Sequence, residues 1–94
     1  MSDDNAIRGQ FTIINQKGLH ARAATKLVQL ASRYPCQIML VGPEGEANAK
    51  SVMGVLLLCG SIGTVIEVKA EGDGAREAVD AIGNLINDRF GEAE

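Results

Sequence analysis

Apolar and polar positions change their period several times along this chain, and each change marks an element. Ile7 to Asn15 is rich in strand formers, with Phe11, Thr12, Ile13 and Ile14 in succession, and it runs into Asn15-Gln16-Lys17-Gly18, a turn signal. Ala21 to Tyr34 has the helical period: Ala24, Leu27, Val28 and Ala31 fall at i, i+3, i+4 and i+7 on one stripe. Pro35 stops that helix, because the residue before a proline avoids the α region. A short strand over Gln37 to Val41 leads into Gly42-Pro43-Glu44-Gly45, so a hairpin partner is expected at Glu46 to Ala49. Ser51 to Cys59 predicts a short helix with Ser51 as N-cap and Gly60 as its stop. Thr64 to Glu71 alternates cleanly, with Ile66, Val68 and Ala70 on one face and Glu67, Lys69 and Glu71 on the other. Gly72-Asp73-Gly74 then turns the chain, with Asp73 placed to cap the last helix. That helix, Ala75 to Phe90, is predicted to be amphipathic, with Val79, Ile82, Ile86 and Phe90 as its stripe and Gly91 as its stop. The order β-α-β-β-α-β-α predicts an α+β fold with one antiparallel sheet and helices on one face.

Ninety-four residues make one small domain, expected over residues 7–91, with a frayed N-terminus over 1–6 and a C-terminal tail over 92–94. The balance of 46% apolar and 22% charged residues is that of a globular chain. Two Phe, one Tyr and no Trp leave the core to aliphatic side chains. A formal net charge of −3 and no basic cluster argue against a general nucleic-acid binder, and the few aromatics argue against a base-stacking surface. The longest apolar stretch, Val52 to Cys59, is too short to insert in a membrane, and the acidic start has no apolar leader, so a cytoplasmic protein is expected. Cys36 and Cys59 lack metal or redox spacing and read as buried small hydrophobes. With one histidine in the chain, no metal centre and no other cofactor is expected.

That histidine is the informative residue. In Gly18-Leu19-His20-Ala21-Arg22 a glycine turn runs straight into a helix, with His20 at the N-cap or in the first turn. The first N–H groups of a helix lack internal partners, and with the macrodipole they attract an anion. Arg22 adds a planar cationic fork suited to phosphate. A neutral imidazole there can accept a phosphoryl group on a ring nitrogen. On the residues alone, His20 as a plain helix cap and Arg22 as a solvated charge stay open as the simpler reading. No second titratable group is paired with His20 in the local sequence, which argues against a hydrolytic enzyme.

The helix at Ser51 carries two apolar stripes, Val55, Leu58 and Cys59 on one side and Val52, Met53, Leu56 and Leu57 on the other. A short helix on one face of a sheet cannot bury both, so the second stripe is either a partner-docking patch or covered by the last helix. Ser51 itself reads as a cap, or as a serine whose phosphorylation would place about two negative charges beside that patch.

Gly18-Leu19-His20-Ala21-Arg22 resembles the phosphorylation site of the HPr family, the histidine-containing phosphocarriers of the bacterial phosphoenolpyruvate-dependent phosphotransferase system. Lys50-Ser51-Val52-Met53-Gly54-Val55 and Leu58 resemble that family's second motif, and Gly63-Thr64 and Gly72 continue the likeness over about residues 7–91. The resemblance implies an open-faced β-sandwich of four antiparallel strands with three helices on one face. It implies that His20 accepts the phosphoryl group on Nδ1 from phospho-enzyme I and passes it to a IIA domain, with Arg22 beside it. It implies that Ser51 matches the serine phosphorylated in some bacteria by HPr kinase/phosphorylase. It implies a carrier and not an enzyme, since the partners complete each transfer site; a monomer is expected. Where the family usually has proline after the arginine this chain has Ala23, so a slightly looser helix start is expected, and both the sugar and the nitrogen-type regulatory branch stay open. Two further readings stay beside it: a purely regulatory protein of the same fold acting through Ser51, and a small ligand-sensing module.

Overall fold

The computed structural model describes residues 5–94; residues 1–4 of the expected frayed N-terminus lie outside the described residues. Four strands, β1 (Ile7–Thr12), β2 (Gln37–Gly42), β3 (Gly45–Asn48) and β4 (Val65–Glu71), form one antiparallel sheet in the order β1-β4-β2-β3. The alternation read in β4 sets the register. Ile66, Val68 and Ala70 are buried, and they pair with Phe11, Gly9 and Ile7 of β1; on the other side Val68 and Ala70 pair with Leu40 and Ile38 of β2. Gly42 pairs with Gly45, so the hairpin closes over Pro43 and Glu44 alone. Three helices cover one face: α1 (Ala21–Ala31), α2 (Val52–Leu57) and α3 (Ala75–Asn87). α3 lies on β1 and β4, α2 on β3, and α1 packs against both helices. The fold is therefore α+β, the architecture expected from the element order.

The helices end earlier than their apolar stripes suggest. α1 stops at Ala31, and Arg33 and Tyr34 continue in tighter turns whose N–H groups reach back three residues. Lys50 clips this end down, its Nζ donating to the carbonyls of Tyr34 (2.6 Å) and Cys36 (2.8 Å). α2 ends at Leu57, with Leu58 as C-cap. Cys59 adopts a left-handed backbone (φ 54°), which turns its side chain out. Cys36 is buried, but Cys59 is exposed, contrary to the expectation for both thiols. At α3 the cap is Gly74 (φ 79°) with no side-chain bond, not Asp73 as the turn pattern predicts.

The largest departure lies after α3. Its stripe of Val79, Ile82 and Ile86 is buried as read, but the helix ends at Asn87. Arg89 and Phe90 both take left-handed backbone (φ 56° and 55°), and Phe90 enters the core fully buried from this turn and not from the helix. A left-handed residue costs about 1–2 kcal/mol, and complete burial of a phenylalanine gains about 1.5–3 kcal/mol. Phe90 thus offsets much of the cost of the turn that brings residues 92–94 back over α1. Lys26 of α1 fastens the same turn, Nζ donating to the Phe90 carbonyl at 2.7 Å.

Candidate functional site

The site is built where β1 hands over to α1. Asn15 and Gly18 close a turn through the Gly18 N–H and the Asn15 carbonyl, and Leu19 N–H donates to the Gly60 carbonyl at 2.7 Å. Gly18 sits at φ 65°, and a Cβ there would lie 2.3 Å from the Gly60 oxygen, so no other residue fits. His20 is then the N-cap of α1, extended at φ −75° and ψ 177°, with its carbonyl accepting the first helical bond from Ala24 N–H.

The two ring nitrogens of His20 have different partners. Nδ1 accepts from the backbone N–H of Arg22 at 3.3 Å. Nε2 is bonded to Oε2 of Glu92, seventy-two residues on. A carboxylate oxygen accepts and a backbone N–H donates, so Nε2 carries the hydrogen and Nδ1 keeps a lone pair. Glu92 is itself held: its Oε1 accepts from Asn15 Nδ2 at 3.1 Å, while the other hydrogen of that amide goes to the Gly18 carbonyl at 2.9 Å. Asn15 is fully buried and its Oδ1 has no partner among the described residues. The reverse amide orientation would aim that oxygen at a carbonyl and a carboxylate, so both donors of the amide are committed. The bond from His20 holds the Glu92 carboxyl below the usual carboxylate range; burial pushes the other way, and Asn15 and Lys17 assist the lowering.

Arg22 is exposed on the first turn of α1, two residues from His20. With Gln16, Lys17, Lys26, Glu92 and Glu94 it lines an open cleft of about 340 Å³, which reaches His20 through its partner Glu92. A smaller cleft is lined by Lys17, Leu19, His20 and Cys59 to Ser61. Lys17 lines both clefts, and a cationic side chain near a helix N-terminus is a setting that favours an anion.

Ser51 does not belong to this cluster. It caps α2, its Oγ accepting from Gly54 N–H at 3.1 Å. Cys59, just past the opposite end of α2, shares a cleft with His20, so Ser51 stands at the far end of that helix from the histidine. Between the two lie the residues of the second stripe. Met53 is 67% and Leu57 71% exposed, and Val52 and Leu56 are half-buried, whereas Val55 and Leu58 are buried. The last helix does not cover this stripe.

Sequence reasoning missed Glu92 and Asn15. Residues 92–94 read as a tail, yet Glu92 pairs with His20 and the Glu94 carbonyl accepts from Gln16 N–H at 3.1 Å. The expectation that no titratable group partners His20 is therefore corrected. The partner lies too far along the chain for local spacing to reveal it.

The fold and the site thus define a small open-faced α+β protein with its one histidine capping a helix N-terminus. The family model described as the PTS HPr component phosphorylation site matches residues 7–88. Phosphocarrier protein HPr of Pseudomonas aeruginosa is 46% identical over 86 residues, covering 90% of this chain and 96% of that protein. Phosphocarrier protein NPr of Shewanella violacea is 46% identical over 84 residues, covering 89% and 92%. The crystal structure of HPr-C-His from Thermoanaerobacter tengcongensis superposes with a TM-score of 0.89 at 41% identity, covering 94% of this chain and 99% of that one. The chain belongs to the HPr family, phosphocarriers of the phosphotransferase system that are not themselves catalysts.

Proposed function

We propose that this protein accepts a phosphoryl group on Nδ1 of His20 from phospho-enzyme I and passes it to a IIA domain of the phosphotransferase system. The observation that carries the reading is the state of the ring: Nε2–H is committed to Glu92, and Nδ1 keeps its lone pair against the N–H groups that open α1. A phosphoryl group on Nδ1 takes the place of the weak cap, accepting from Arg22 N–H and drawing the Arg22 guanidinium from the neighbouring cleft. Ala23, unlike proline, adds a backbone donor at this helix end.

Val52, Met53, Leu56 and Leu57 are the docking patch in this reading. Their exposure beside the histidine suits a surface used by an incoming donor and an outgoing acceptor in turn, and an unbranched thioether adapts to both. Phosphorylation of Ser51 by an HPr kinase/phosphorylase would leave α2 folded, because the charge sits at its N-terminus, and would turn an acidic partner away from the patch. The purely regulatory reading is the weaker one, since it gives no use to a histidine held by two partners at a cationic cleft. One copy supplies every group named at the site, which supports a carrier acting as a monomer, and the family likeness supports a cytoplasmic one. Among the described residues no helix is long and apolar enough to cross a membrane.

Intact mass after mixing with enzyme I, magnesium and phosphoenolpyruvate tests this. The wild type gains one phosphoryl group, about 80 Da and labile in mild acid, and His20→Ala gains none while keeping its fold. Arg22→Ala is phosphorylated more slowly. No gain by the wild type with a competent enzyme I refutes the carrier reading.

A further inference from the structure

The contact between Glu92 and His20 has a use beyond holding the end of the chain. We propose that Glu92, itself held by Asn15, is a positioning residue for phosphoryl transfer: it keeps the hydrogen on Nε2 and balances the charge that the ring acquires when Nδ1 is phosphorylated. The proposal rests on the phosphocarrier reading above.

The electron count shows why a carboxylate belongs there. Nδ1 attacks phosphorus with its lone pair, and the bond between phosphorus and the donor's leaving atom breaks, with its electron pair going to the donor. No proton leaves His20, because Nε2–H is already in place. The ring, with Nδ1 now bonded to phosphorus and Nε2 still protonated, is cationic. The Glu92 carboxylate faces this charge through Nε2–H, as the acidic member of a hydrolytic triad faces its imidazolium. On transfer to the acceptor the steps reverse, and the cationic ring is the better leaving group.

The neighbouring groups are arranged for this. A glutamate on a loop after a helix is ordinarily free to swing, but here both carboxylate oxygens have partners, 77 and 72 residues earlier in the chain. Asn15 is buried and spends one of its amide hydrogens on Oε1. The other fixes the Gly18 carbonyl, so one side chain ties the carboxylate to the turn that sets His20. Phe90, fully buried two residues earlier, limits how far the loop can retreat. Lys17 and Arg22 border the cleft, so Glu92 does not confront an incoming phosphate uncompensated.

The test pairs a spectroscopic readout with a kinetic one on the full chain. Imidazole ¹⁵N shifts report which nitrogen of unphosphorylated His20 carries the hydrogen, and rapid-quench transfer from phospho-enzyme I reports the rate. In Glu92→Gln the amide oxygen still accepts from Nε2–H but has no charge: the tautomer stays, and transfer slows about tenfold. In Glu92→Ala both are lost: the Nδ1–H tautomer rises and transfer slows further. Asn15→Ala moves the ¹⁵N shifts in the direction of Glu92→Ala. Glu92 is partly exposed and outside the core, so its variants keep the fold. Wild-type rates and unchanged ¹⁵N shifts in both Glu92 variants overturn the positioning role while leaving the carrier intact. A wild type that takes no phosphoryl group overturns the carrier reading itself, and the role in transfer with it.

Discussion

Gly83 gives a prediction in which two effects of opposite sign compete. It is buried in α3, where a glycine ordinarily weakens the helix by about 1 kcal/mol relative to alanine. On helix propensity alone, Gly83→Ala stabilises. The structure reverses that expectation. A Cβ at position 83 would lie 2.2 Å from Cε1 and 2.3 Å from Cζ of Phe11, whose ring also abuts Gly9 of its own strand. Carbon atoms pack at about 3.5–4 Å, so the ring must move by more than 1 Å. Gly9 shows the same crowding from the strand side, since a Cβ there would lie 3.0 Å from the ring, so the ring fits only because both positions are glycine. The ring can swing off the edge of the sheet, giving up what its partial burial contributes out of the roughly 1.5–3 kcal/mol that full burial would give, or it can strain α3 at about 1–3 kcal/mol. Either route outweighs the helical gain, and the expected net loss is about 1–2 kcal/mol. Urea unfolding measures it. The sharper assay is the cycle with Phe11→Ala. Without the ring, Gly83→Ala meets no obstacle and stabilises by up to about 1 kcal/mol, so the sign of one substitution inverts with the other. A Gly83→Ala variant more stable than the wild type refutes the packing argument.

Lys50→Met leaves the Tyr34 and Cys36 carbonyls without their donor; a loss of about 1–3 kcal/mol is expected, seen as a fall in Tm of about 4–8 °C for each kcal/mol, and an unchanged Tm means water replaces the ammonium at no cost. The Glu92 carboxyl titrates below its ordinary 4.5, so its contribution is present above that pH and is lost as the pH falls through the lowered value. A ¹³C carboxyl titration in His20→Ala should move Glu92 back up, because the largest cause of the lowering is gone; no movement assigns the shift elsewhere.

How much of the fold and site is legible in the chain depends on the range of the physics involved. The strand β4 announces itself because its alternation is local, and its burial pattern matches position by position. Ser51 as a cap and His20 at a helix start are equally local, each decided by the backbone within three residues. Helix ends are less legible: Phe90 keeps the α3 period but enters the core through a left-handed turn, and a periodicity of 3.6 residues cannot distinguish the two. Cys59 obeys the same rule, since its position in the buried stripe holds only if α2 runs one turn longer. Glu92 and Asn15 are illegible because their meaning is tertiary. Each is an ordinary polar residue in its own neighbourhood, and only the return of the chain sets Glu92 between the Asn15 amide and the His20 imidazole.

That long reach bears on how the carrier is made. His20 leaves the ribosome seventy-two residues before Glu92, which at roughly 5–20 residues per second is an interval of several seconds. Through that interval the histidine exists without the carboxylate that orders it. β4, the strand that joins β1 to β2 in the sheet, also follows His20 in the chain, so the frame around the ring is itself assembled late. Under the function proposed above, a phosphorylated donor meeting an unfinished chain finds a poor acceptor, and competence arrives with the turn after α3.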